Sequence, residues 1–281
     1  MSNLPELSEK EYLSLRDLVH DEFGILFRAE KLPFLRLRLL GRLEGLGLST
    51  FDEYIQYLKY DRDRERERRM MIALLTNNET YFFRELPQLK AYREVVLSEL
   101  RDRKLNRESR RINVVSAGCS TGEEVHSLAM LTYETGWFFW GWDVRIHGID
   151  INQRNLETAR KAEYFDRSLR MMDRNYLDRY FRRNGGSYYV KESVAGMSRF
   201  VHGNITSPAI WNSLCEVDVI FCRNVMIYFS EEKVRRTVDL FHGALEPGGY
   251  LFLGHSETLV DIHDGFEQIY LPGTILYRKR G

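Results

Sequence analysis

Apolar positions recur at helical spacing through residues 8 to about 75, then give way to short strand-length runs after about Arg110. Ser8-Glu9-Lys10-Glu11 has the form of a capping box, and Tyr12, Leu15, Leu18 and Val19 follow it as one helical face. Gly24 ends that helix. Pro33 suits the first turn of a second helix, which runs to the Gly45-Leu46-Gly47 break. Ser49-Thr50-Phe51-Asp52 opens a third, through Leu58. The stretch from Asp61 to Arg69 alternates arginine with acids and predicts the solvated face of a fourth, laced with i,i+4 pairs. Downstream, Ile112–Ser116, Arg145–Ile149, Arg199–His202, Val217–Cys222 and Tyr250–Gly254 read as strands separated by helical patterns. Phe266–Leu271 and Thr274–Arg278 flank Pro272-Gly273 as a closing hairpin. Strand–helix alternation predicts an α/β parallel sheet, and the hairpin gives it an antiparallel edge.

Composition narrows the function classes. The chain has 281 residues, enough for one sizeable domain and a smaller one, and its formal charge is zero. No global field therefore drives it onto nucleic acid or an anionic membrane. Its start, Met1-Ser2-Asn3-Leu4-Pro5-Glu6, lacks the basic and apolar regions of a signal peptide, and no apolar run approaches membrane-spanning length. The three cysteines, Cys119, Cys215 and Cys222, are odd in number and lack metal-ligand spacing. These features predict a cytoplasmic protein without direct membrane insertion, and no metal is expected.

Candidate chemistry begins at Val114-Val115-Ser116-Ala117-Gly118-Cys119-Ser120-Thr121-Gly122-Glu123-Glu124. This reads as a buried strand, a glycine turn and a helix N-terminus, the place where open α/β sheets bind nucleotides. Gly118 and Gly122 let the backbone turn and approach a ligand closely. Glu123 and Glu124 stand where a pyrophosphate would sit, and carboxylates repel phosphate. The pocket suits a nucleoside carrying positive charge, and S-adenosylmethionine (AdoMet), with its sulfonium and ammonium groups, fits. The same two acids, and the absence of a three-glycine fingerprint, disfavour an NAD-dependent oxidoreductase. Val144 to Asp150 reads as a second buried strand ending in an acid, which places Asp150 to accept hydrogen bonds from ribose hydroxyls. Asp150 or Asn152 also suits a helix cap.

Four stretches in order carry a family resemblance: Thr76-Asn77-Asn78-Glu79-Thr80-Tyr81-Phe82-Phe83-Arg84-Glu85, Ser116 to Glu124, Phe221-Cys222-Arg223-Asn224-Val225-Met226-Ile227-Tyr228-Phe229, and Gly254-His255-Ser256-Glu257. Over nearly its whole length the chain resembles the chemotaxis receptor methyltransferases (CheR type). The resemblance implies a Rossmann-like AdoMet-dependent methyltransferase sheet over 91–281, a helical receptor-recognition domain over 1–75 and a connecting motif over 76–90. A small β-subdomain is expected near 184–200, which in some members grips a receptor's C-terminal peptide by strand addition; here it reads as short.

By the same resemblance Asn78, Thr80 and Arg84 match polar cofactor contacts of the connecting motif. Gly118 belongs to the cofactor turn, Glu124 matches the acidic cofactor ligand and Asp150 the ribose acid. Asn204 and Ile205 match the segment beside the adenine, and Arg223 and Asn224 match a pair at the end of the fourth strand. Tyr228 matches the tyrosine that faces the methyl group, so Arg84 and Tyr228 are expected at the reaction centre. Arg38 and Arg42, one helical turn apart, are expected to dock the acidic receptor helices, with Leu37 and Leu40 on the opposite apolar side.

The activity implied is methyl transfer from AdoMet to glutamate side chains in the cytoplasmic coiled coil of chemoreceptors, leaving S-adenosylhomocysteine, by a monomer that binds no nucleic acid. A glutamate is already a carboxylate at neutral pH, so no general base is required. His255 reads as part of a polar cluster closing the fifth strand. The competing readings are a methyltransferase acting on another substrate and a non-catalytic AdoMet-binding sensor or scaffold.

Overall fold

A computed structural model describes residues 5–27, 29–76, 79–107, 110–214 and 216–281, with only the backbone of residues 138 and 139. The chain divides into two compact units, Met1–Asn77 with Tyr228–Lys233, and Asn78–Ile227 with Val234–Gly281.

The first unit is helical: α1 (Glu9–Phe23), α2 (Leu32–Leu46), α3 (Phe51–Tyr60) and α4 (Arg64–Leu75). Ser8 and Glu11 cap α1 reciprocally, and Thr50 and Glu53 do the same for α3. Gly24 and Gly47 close α1 and α2 in the left-handed region, at φ 78° and 68°, which glycine adopts without Cβ strain.

Two expectations fail in this unit. The buried stripe of α2 is Leu35, Leu39 and Leu43, a true i,i+4 row, while Leu37 is 73% exposed. Arg42 is not a free docking cation. Its Nε donates to Glu67 Oε1 at 2.8 Å, and Tyr54 donates its hydroxyl to the same oxygen at 2.8 Å. Glu67 lies in the stretch expected to be solvated, yet only 3% of it is exposed. A buried carboxylate needs such partners, because an unpaired charge in the core costs several kcal/mol. Arg38 remains exposed, its guanidinium 5.0 Å from the Phe34 ring centroid.

In the second unit, α5 (Leu86–Ala91) continues through a π-helical turn, Tyr92–Val96, into α6 (Leu97–Lys104). Then come β1 (Arg111–Ala117), α7 (Glu123–Tyr133), β2 (Asp143–Asp150), α8 (Gln153–Lys161), β3 (Glu163–Tyr164), α9 (Asp166–Leu169) and α10 (Arg174–Tyr180). Next are β4 (Phe181–Asn184), β5 (Ser187–Val190), α11 (Glu192–Ala195), β6 (Ser198–His202), α12 (Pro208–Asn212) and β7 (Val217–Cys222). The chain then forms α13 (Glu231–Ala244), β8 (Leu245–Leu253), β9 (Phe266–Leu271) and β10 (Thr274–Lys279).

The large sheet runs β6-β2-β1-β7-β8-β10-β9. Its first five strands are parallel, and β10 is antiparallel to both β8 and β9. The expected hairpin is there, with its second strand inserted next to β8. From β1 the chain winds outward through β2 and β6, then returns to β7 on the other side. That reversal between β1 and β7 is the topological switch point.

A separate sheet, β3-β5-β4, lies within residues 163–190. The expected insert near 184–200 is therefore displaced. Ser198–His202 pairs parallel with β2 as the edge of the large sheet, and β3 has only two residues, too few to show a period.

The core centres on Phe221 stacked on Phe252, ring centroids 4.1 Å apart, with Tyr92 edge-on to Phe221 at 5.5 Å. Beneath it, Lys104 Nζ pairs with the fully buried Asp218 at 2.6 Å, tying α6 to the start of β7.

Candidate cofactor site at the switch point

Ser116, fully buried near the end of β1, leads into a turn with Gly118 at φ 80°, Ser120 at 50° and Gly122 at 92°. A Cβ on Gly118 would lie 2.5 Å from Val225 Cγ2, and one on Gly122 2.7 Å from Ala159 Cβ. Both glycines are thus required by conformation and by space. The N–H groups of Gly118 and Cys119 donate to the Ile149 carbonyl at 2.8 and 3.0 Å, closing the turn against β2.

The two acids that follow diverge. Glu123 is 2% exposed and accepts from the Thr121 and Ser168 hydroxyls at 2.7 and 2.9 Å; burial raises its pKa. It is a structural acid. Glu124 instead accepts from Ser116 Oγ and from Arg223 Nε, each at 2.6 Å. Arg223, its side chain 4% exposed, also donates from Nη1 to the Arg84 carbonyl at 2.8 Å and stands 3.6 Å from Glu85 Oε2. One buried guanidinium therefore faces two carboxylates, and the cluster carries excess negative charge.

Asp150, at the end of β2, is 8% exposed. Its oxygens accept the N–H groups of Ser120 and Asn152, each at 2.8 Å. Burial raises its pKa, and those N–H donors and His202 oppose the rise. The Asn155 side chain also donates to this carboxylate, and two oxygens with about four lone-pair sites between them leave room for a further donor such as a ribose hydroxyl. Asn152 caps α8 by accepting from the N–H groups of Arg154 and Asn155. The Asp150 carbonyl accepts from Gly203 N at 3.0 Å, so the Asn204-Ile205 loop adjoins Asp150. Asn204 Oδ1 accepts from both the N–H and the hydroxyl of Thr206, and Ile205 is buried.

Asn224, at φ 59°, is held by Glu257, which accepts its N–H at 2.9 Å together with those of Gly254, Val225 and Ile227. This one carboxylate organises the whole turn after β7. Glu257, Glu85, Ser116 and Ser120 were not singled out as site residues from the sequence. The first two are visible there only as the final acids of the stretches Thr76–Glu85 and Gly254–Glu257.

Three buried polar atoms near these turns lack a hydrogen-bond partner among the described residues: Glu85 Oε2, Ser120 Oγ and Asn224 Oδ1. Such atoms call for a ligand or water. Phe83, Glu85, Ser120 and Asn224 also hold positive φ, a cost of about 1–3 kcal/mol each that persists where surrounding structure imposes it. The negative cluster and the orphaned acceptors fit a cationic nucleoside.

The remaining expected residues divide. Arg84 turns its guanidinium to the Glu79 carbonyl at 3.0 Å, so its backbone rather than its side chain meets Arg223. Thr80 is half-buried in the same segment, and Asn78 lies outside the described residues. Tyr228 belongs to the helical unit, where its carbonyl accepts from Leu26 N at 2.7 Å. Phe82 is core, edge-on to Tyr164 and Phe181. His255 is exposed, 3.3 Å from Glu85 Oε1. Among the described residues no group of three or more His, Cys, Asp or Glu could hold a metal, and no helix is long and apolar enough to cross a membrane.

Comparison with known proteins gives a consistent result. Family profiles described as "CheR methyltransferase, all-alpha domain" and "CheR methyltransferase, SAM binding domain" match residues 10–76 and 78–275. Chemotaxis protein methyltransferase 2 of Vibrio cholerae is 34% identical over 92% of this chain and 89% of its own. Chemotaxis protein methyltransferase 1 of Pseudomonas aeruginosa is 33% identical over 92% of this chain and 93% of its own. The chain is an AdoMet-dependent methyltransferase of chemotaxis and belongs to the CheR methyltransferase family.

Proposed function

We propose that the chain methylates glutamate side chains in the cytoplasmic coiled coil of chemoreceptors, with AdoMet as donor. The observation that carries the cofactor half is the single buried Arg223 set between Glu124 and Glu85, an acid excess that favours a cationic ligand. The names of the relatives, chemotaxis protein methyltransferases, support a substrate in chemotaxis, and the receptor glutamate is what the family resemblance implies.

AdoMet, when bound, supplies an electrophilic methyl group on a sulfonium. The chain's own residues supply binding and placement. Asp150 accepts from the ribose, and Glu124 and Glu85 offer negative charge to the amino-acid end. Asn204 and Ile205 border the adenine. The acceptor glutamate is ionised at neutral pH, so the protein's contribution is to orient one carboxylate oxygen, an entropic advantage worth several kcal/mol. Arg84 is proposed to hold that carboxylate, and a part for the Tyr228 hydroxyl is carried by the family resemblance. Docking of the receptor helices is proposed for Arg38 on α2, together with Lys31 just before that helix, both lying over the Phe34 ring; Arg42 is engaged by Glu67 instead.

The test is incubation with methyl-labelled AdoMet and a receptor cytoplasmic fragment. Base-labile label on the fragment, lost when its acceptor glutamates are changed to alanine, supports carboxyl methylation. Base-stable label, or none with S-adenosylhomocysteine bound, would reject the acceptor.

A further inference from the structure

The end of the large sheet opposite the cofactor turns has an incompletely covered face. Along β2, Val144 and Ile146 are buried, Arg145 is exposed and His147 is half-buried. The parallel register sets Asn113 beside Arg145, and His147 beside Arg199, so all four share one face. Among its described residues, the crossover from β6 to β7 contains a single helix, α12, five residues and roughly 7.5 Å long. It is too short to roof the strands along their whole length. Among the described residues, the turn after it contributes Ser213, Leu214 and Glu216 as a wall.

Two adjoining clefts result. One, of about 490 Å³, is lined by Ser193, Gly196 and Arg199; the other, of about 260 Å³, by Arg111, His147 and Ser213. Arg145 and its neighbours separate them, and Arg145 lines both. Charge there is unbalanced, although the whole chain is neutral. Asp143 serves two guanidiniums, Arg111 at 3.0 Å and Arg145 at 2.9 Å. Arg199 donates from Nη1 to the Gly196 and Ser198 carbonyls, and its Nε and Nη2 have no partner among the described residues. The other acid facing the clefts is the exposed Glu216. His147 has no hydrogen-bond partner among the described residues. Burial, then Arg145 and Arg199, hold its pKa below the ordinary value, so it is neutral at pH 7 and ready to gain a proton beside an anion.

We propose that these two clefts bind a soluble organic phosphate with two adjoining phosphoryl groups, bridged by Arg145, with Arg199 on one side and Arg111 and His147 on the other. Three forked guanidiniums in sequence suit phosphoryl oxygens, and the Ser193 and Ser213 hydroxyls add neutral donors.

The test uses the full chain saturated with S-adenosylhomocysteine, titrated with inorganic pyrophosphate by calorimetry. Binding tighter than about 1 mM is expected, weakened roughly tenfold or more by Arg145→Ala and by Arg199→Ala. Unaltered S-adenosylhomocysteine affinity in both variants shows that the fold is intact. The His147 ring resonances should report a raised pKa on binding. No binding, equal binding by the variants, or a His147 titration that ignores pyrophosphate would overturn the proposal. Sedimentation with phosphatidylglycerol vesicles separates the two sources of phosphate. If both variants abolish it while pyrophosphate goes unbound, the soluble ligand is wrong and a membrane surface is right.

Discussion

Replacing Asp150 with alanine removes two things at once, and the structure separates their sizes. The carboxylate accepts N–H bonds from Ser120 and Asn152, each at 2.8 Å, in a site only 8% exposed. Leaving two buried donors unsatisfied costs about 1–3 kcal/mol apiece. Against this stands the relief of a desolvated charge, which burial already disfavours. A net loss of about 1–3 kcal/mol is expected, a fall in Tm of roughly 3–10 °C for a unit of this size. The ligand effect is separate. Losing charge-assisted bonds to ribose hydroxyls should cost about 1.5–3 kcal/mol, or ten- to a hundredfold in the Kd of S-adenosylhomocysteine. Ser120→Ala isolates the ligand term. It deletes the orphaned hydroxyl and keeps the backbone N–H, so Tm should hold while affinity falls severalfold. Calorimetry and thermal melting on both variants read the two terms. Wild-type affinity in a folded Asp150→Ala protein would refute the ribose assignment.

Stability against pH should carry a signature of His126, fully buried and held down to about 4 by desolvation. The folded state keeps it neutral while the unfolded state protonates below pH 6.5, so its contribution is full above that pH and is lost on falling toward 4. The loss is roughly 3 kcal/mol at most, and His126→Gln should remove it from urea melts at pH 7 and 5. Lys104→Met removes the ammonium paired with the buried Asp218, leaving it the Asn113 N–H and Arg103 at 3.9 Å, and should cost about 3–5 kcal/mol, part of it recovered by adding Asp218→Leu; equal stability of the single and double variants would deny a buried ion pair. Arg38→Glu should raise KM for a receptor fragment and flatten its salt dependence without altering Tm. Arg42→Glu should instead unfold the helical unit, because it sets a second carboxylate against Glu67. Equal Tm losses for the two would erase that distinction.

Local rules were enough for much of the fold. Ser8 with Glu11 marks a helix start, Gly24 and Gly47 mark helix ends, and the runs around Val115, Ile149 and Ile220 mark buried strands. Each depends on residues a few positions apart, and the Gly118 turn and Asp150 were legible for the same reason. Spacing alone could not show that Glu123 and Glu124 part company, since Ser168 and Arg223 lie 45 and 99 residues away. Nor could it remove Arg42 from the surface, because its partner Glu67 sits in a stretch whose composition reads as solvent-facing. The two-residue β3 carries no period, so the small sheet was misplaced. Local pattern records which side a residue prefers. Only the folded chain decides which buried charge meets which partner, because that choice depends on desolvation and distance among groups far apart in sequence.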